Sequence, residues 1–139
     1  MFSSDPCSDF LIHRAIEGWA VIRKSVWICG HSIVHWARVW AVSRGLAPNL
    51  GLPHGVRVSW FSRKGMRWEE LMPLLWEKVA TFSPPGILVI QLGENDLAYR
   101  RNADLLWNIK RDLDAFAALC PRTTVFWSSF LKKIFGVVR

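Results

Sequence analysis

Cysteine is scarce in this chain and follows no pattern. Cys7, Cys29 and Cys120 are an odd set without metal-ligand spacing, which argues against a disulfide framework and a structural zinc site and fits a reducing compartment. Long apolar runs are lacking as well. Arg23 with Lys24, Arg38, and Lys132 with Lys133 interrupt them well short of membrane-spanning length, so no membrane span is expected. Asp5 and Asp9 stand where a secretory signal would place basic residues before an apolar block, so no signal peptide is expected and the chain reads as cytoplasmic. A polybasic tract is also missing, although the formal net charge is +7. Pairs such as Arg63 with Lys64 and Arg100 with Arg101 are scattered; they admit an anionic partner such as a nucleic acid without specifying one.

The chain does have the material for one core. The 139 residues are 51% apolar and include nine Trp, enough for a single domain and too few for two ordinary ones. Residues 1–24 read as a leader in which Ser8 caps a short helix from Asp9 to about Glu17, with Phe10, Ile12, Ala15 and Ile16 toward the protein. Residues 25–129 read as the domain and residues 130–139 as a tail.

Within the domain, apolar patterning predicts strands over about 25–29, 56–61, 87–92 and 123–127. Helices are expected between them, over about 33–44, 68–82 and 103–119. The first carries Ile33, Trp36, Val39 and Trp40 at helical spacing; the second would bury Leu71, Leu74, Leu75, Val79 and Phe82, with Pro73 bending it or marking its start. The third carries Leu105, Leu106, Ile109, Leu113 and Phe116 at helical spacing. Alternation of this kind implies a parallel sheet of about four strands with helices on both faces, an α/β fold in which ligands bind at the carboxyl ends of the strands.

Three unusual turns fall at those carboxyl ends: Gly30-His31-Ser32, Ser62 to Trp68 around Gly65, and Gly93-Glu94-Asn95-Asp96. A serine at a strand-to-helix corner suits a nucleophile, and a glycine N–H with an asparagine side-chain N–H suits an oxyanion. Each residue also has a structural reading. Ser32 can be a helix N-cap, Gly65 a turn residue, and Asn95 with Asp96 a turn that caps the next segment.

These residues resemble the SGNH or GDSL-type hydrolases, over about residues 25–129. Gly30-His31-Ser32 is similar to that family's Gly-Asp-Ser block with His in place of Asp, Gly65 to its second-block glycine, and Gly93-Glu94-Asn95-Asp96 matches its Gly-x-Asn-Asp block in full. The wording V-W-I-C-G-H-S and I-L-V-I-Q-L-G-E-N-D-L looks like a vertebrate subgroup, some of it associated with retroelement-derived proteins. The resemblance implies a flavodoxin-like three-layer α/β/α sandwich and cleavage of a small acyl-ester substrate. Ser32 would be the nucleophile, the Gly65 N–H and Asn95 the oxyanion donors, and Gly30, His31, Gly93 and Asp96 supporting residues, with no metal or cofactor.

One block of the pattern has no counterpart. The family's late Asp-x-x-His supplies the general base, and nothing after His54 in this chain is a histidine. Loss of a triad histidine elsewhere costs on the order of 10⁶ in turnover. His35, three residues after Ser32, is the candidate stand-in, with a packing or rim role as its structural reading. The expectation is therefore an impaired or inactive esterase domain, and the alternative is a non-catalytic binding module that keeps either the crevice for binding or the basic surface for nucleic acid. The fourth strand would leave a bare apolar sheet edge that invites self-association, with Lys132 and Lys133 as guards.

Overall fold

A computed structural model describes residues 25–46, 49–53 and 55–128. The leader, His54 and the tail with its lysines lie outside the described residues.

Short β-prone runs make the sheet: β1 (Ser25–Gly30), β2 (Arg57–Ser62), β3 (Ile87–Gln91) and β4 (Thr124–Ser128). All pairings are parallel and the order is β2-β1-β3-β4. The register sets Gly30 beside Ser62 and Gln91, so the carboxyl ends of the first three strands are level. Three helices connect the strands: α1 (Ser32–Ser43), α2 (Leu71–Thr81) and α3 (Asn102–Leu119). The arrangement is an α/β sandwich, and its strand order is that of the first four strands of a flavodoxin-like sheet.

Period-two alternation divides the core between the two faces. Trp27, Cys29, Leu88 and Ile90 join Leu71 and Leu75 of α2 and Leu105, Ile109 and Phe116 of α3 in the larger cluster. Val26, Val58 and Ile87 point to the opposite face, where α1 packs on β1 and β2. Each fully buried large apolar side chain contributes about 1.5–3 kcal/mol. Burial also pushes the Cys29 thiol up to about 12, which makes it a packing residue rather than a nucleophile. Among the described residues no helix is long and apolar enough to cross a membrane.

The structure departs from the sequence reading in the helices. The helically spaced apolar residues of α1 face out: Ile33, Trp36, Val39 and Trp40 are 43%, 65%, 43% and 56% exposed, while Val34 and Ala41 are buried. The buried face lies close on Gly30, where Val34 Cγ2 would stand 2.8 Å from a Cβ placed on that glycine. Phe82 is likewise exposed, since it follows the last turn of α2 in extended backbone. The expected helix over 68–82 begins instead as a 3₁₀ turn, Trp68–Glu70, and Pro73 falls in the first turn of α2, where its missing N–H costs no helical bond.

Candidate active site

The chain reverses direction across the sheet at β1. It leaves β1 toward β2 through α1 on one face, then returns past β1 to β3 through α2 on the other. Adjacent strands whose connections diverge to opposite faces leave a crevice at their carboxyl ends. Gly30-His31-Ser32 and Gly93-Glu94-Asn95-Asp96 stand there, with the Gly65 turn after β2 beside them.

The first turn depends on Gly30 and His31. A Cβ on Gly30 would collide with the Gln91 carbonyl oxygen and approach Val34 Cγ2 to 2.8 Å, so the backbone passes where no side chain fits. The N-cap of α1 is His31, not Ser32: its Nδ1 accepts from the Ile33 N–H at 3.2 Å. An accepting Nδ1 carries no proton, so the ring hydrogen is on Nε2. Nε2 then donates to Glu94 Oε2 at 2.8 Å, with the residue only 4% exposed. Ser32 is the first residue of α1 and half-buried. It lines a cleft of about 240 Å³ with His35, Trp36, Ser62 and Lys64.

In the second turn, Gly65 takes the left-handed conformation, φ 70°, with open space around it. The Glu70 carboxylate accepts from the Arg67 N–H at 2.8 Å and from Arg63 Nη1 at 3.0 Å. These bonds hold that carboxyl below its ordinary range and close the turn on itself.

The third turn opens at Gly93, φ 126°, and continues as a 3₁₀ turn, Glu94–Ala98. Asn95 Nδ2 donates to the Met66 carbonyl at 3.1 Å. A carboxamide has two N–H groups, so this bond fixes the side chain and leaves one donor over. Asp96 is 1% exposed and accepts from the Trp68 N–H at 2.8 Å through Oδ2. Its Oδ1 has no partner among the described residues, and burial raises its pKa against the opposing pull of that bond.

The three turns are tied pairwise. The Arg63 N–H donates to the Gly30 carbonyl at 3.1 Å, joining the first two. Asn95 and Asp96 join the second and third. The His31–Glu94 contact, with the His31 N–H on the Gln91 carbonyl at 3.4 Å, joins the first and third.

Ser32 therefore occupies a helix-starting corner, and Asn95 is held against the Gly65 turn. His35 lines the Ser32 cleft, where its ring meets Trp36 edge to face at 5.2 Å between centroids. Among the described residues no histidine hydrogen-bonds the Ser32 hydroxyl, and no cluster of potential metal ligands is found. Both ring nitrogens of His31 are engaged, which removes it as a base.

As site residues, Glu94, Gln91 and the cleft-lining Ser62, Lys64 and Trp36 escape the sequence reading. A signal for the first was present: an acid in the variable position of Gly-x-Asn-Asp accompanies His where the resemblance expects Asp. No protein-family model matches the chain, and no curated protein matches it.

Proposed function

We propose that this chain is an SGNH-type serine esterase domain of impaired turnover, whose crevice binds a small acyl ester with its carbonyl at Ser32. The observation that carries the reading is the mutual hydrogen bonding of three separate turns at the carboxyl ends of neighbouring strands, with the serine in a cleft and a donor of Asn95 to spare. In the reaction, Ser32 Oγ adds to the carbonyl carbon. The resulting oxyanion takes hydrogen bonds from the Gly65 N–H and the second Asn95 N–H, and collapse expels the alcohol, leaving an acyl-serine for water to hydrolyse. The Oγ proton goes first to a base and then to the leaving alkoxide. His35 is the histidine of the cleft, and turnover through it is expected to be slow because it makes no bond to Oγ.

Fluorophosphonate labelling read by peptide mass tests this without a known substrate. Label at Ser32 that disappears in Ser32→Ala and in heat-unfolded protein is the expected result. Absence of label in folded protein would overturn it.

A Ser32 hydroxyl that no described histidine bonds favours a second reading, a binding module that has kept the crevice without the chemistry. Its nucleic-acid form receives less support, because Arg63, Arg100, Arg101 and Arg111 are each paired with an acid. Salt-sensitive RNA retention would restore it.

A further inference from the structure

We propose that Glu94 is a positioning residue for the chemistry at Ser32, acting through His31; this rests on the ester reading. The first turn of α1 carries the nucleophile, and its entry is fixed by the N-cap. That cap is an imidazole nitrogen, which can accept the Ile33 N–H only while it is unprotonated. A neutral imidazole keeps its one hydrogen on either nitrogen. The Glu94 carboxylate at 2.8 Å from Nε2 selects the hydrogen there and leaves Nδ1 free to cap. In its absence the Nδ1–H tautomer would point a hydrogen at the Ile33 N–H, and the cap would open.

Glu94 is also the neighbour of Asn95. Its other oxygen, Oε1, accepts from Gln91 Nε2 at 3.0 Å, so the carboxylate is gripped at the end of β3 while it orients the ring after β1. One planar ring, on a residue 4% exposed, thereby spans the two turns that hold nucleophile and oxyanion donor. Their separation is set by a chain of polar contacts rather than by apolar packing alone. His31 stands where the resembled pattern has Asp, and Glu94 is what makes that residue workable at a buried cap.

The test compares wild type, Glu94→Gln, His31→Asn and the double variant at a temperature where circular dichroism reports each as folded. Fluorophosphonate labelling at Ser32 is separated into probe affinity and maximal rate, and the His31 tautomer is read from long-range ¹H–¹⁵N correlations. Expected are the Nε2–H tautomer in wild type and a maximal rate about 10- to 100-fold lower in Glu94→Gln with little change in probe affinity, the scale of a misplaced nucleophile. His31→Asn should show a similar loss even though Asn is itself a good cap, and the double variant should lose no more than either single one. A wild-type maximal rate in folded Glu94→Gln, or an Nδ1–H tautomer in wild type, would overturn the proposal while leaving the ester reading intact. Should Glu94→Gln fail to fold, His31→Asn carries the same comparison. If wild type takes no label, the ester reading falls and the amide resonances decide the positioning: joint displacement of Ser32 and Asn95 in Glu94→Gln supports it, and unmoved resonances overturn it.

Discussion

At Asp96, burial and hydrogen bonding pull in opposite directions. Removal from water favours the neutral acid, while the Trp68 N–H and the nearby Arg100 and Arg67 favour the carboxylate; burial dominates and the pKa rises. Between the ordinary carboxylate range and that raised value, the folded chain binds more protons than the unfolded one. This contribution to stability is fully present below the ordinary range and is lost as pH rises through the folded value. Asp96→Asn cannot ionise. Urea unfolding across a pH series should therefore show wild type losing stability relative to Asp96→Asn as pH climbs from the acid side toward neutrality; the reverse slope would mean that the Trp68 bond dominates. Sequence patterning sets Ser32, Gly65 and Asn95 on turns that the structure brings together, because strand ends and glycines are local features. It did not pair His31 with Glu94, which are 63 positions apart and meet only once β1 and β3 lie side by side.

Among the elements, α1 shows why counting large residues misplaces a helix. Its periodic Ile33, Trp36, Val39 and Trp40 make a more apolar stripe than Val34 and Ala41, yet the smaller pair faces the sheet. At Gly30 the β3 backbone and Val34 come so close that no Cβ fits, a constraint invisible to periodicity. The same substitution at two positions separates the orientations. Val34→Ala should cost about 2 kcal/mol, a buried side chain lost together with the space it filled. Val39→Ala should lie within about 0.5 kcal/mol of wild type, since an exposed helical site gains propensity from Ala. Denaturant midpoints for the two variants check this, and equal losses would contradict the orientation. The strands and the α3 pattern were legible because β-prone runs and wide apolar spacing survive any choice of partner: Leu105, Ile109 and Phe116 are buried as their spacing predicts.

At the scale of the whole molecule, β4 pairs with β3 and, among the described residues, with nothing on its other side. Its T-V-F-W-S sequence holds no charge or proline, and all five residues are half-buried. Such an edge is a template for a second strand. Sedimentation at rising concentration is expected to detect self-association that Phe126→Lys reduces, and an unchanged profile for that variant would place any association elsewhere. The same strand carries a further consequence. Trp127 donates its Nε1 hydrogen to the Leu92 carbonyl at 3.0 Å and meets Trp68 edge to face, 6.2 Å between ring centroids. Trp68 ends the Gly65 turn and Leu92 precedes Gly93, so this indole pair adjoins two of the three turns. Two chromophores so close and so fixed couple their electronic transitions. The crevice therefore carries its own optical gauge: a near-ultraviolet circular dichroism band that would fade when the turns separate, before the secondary structure signal does.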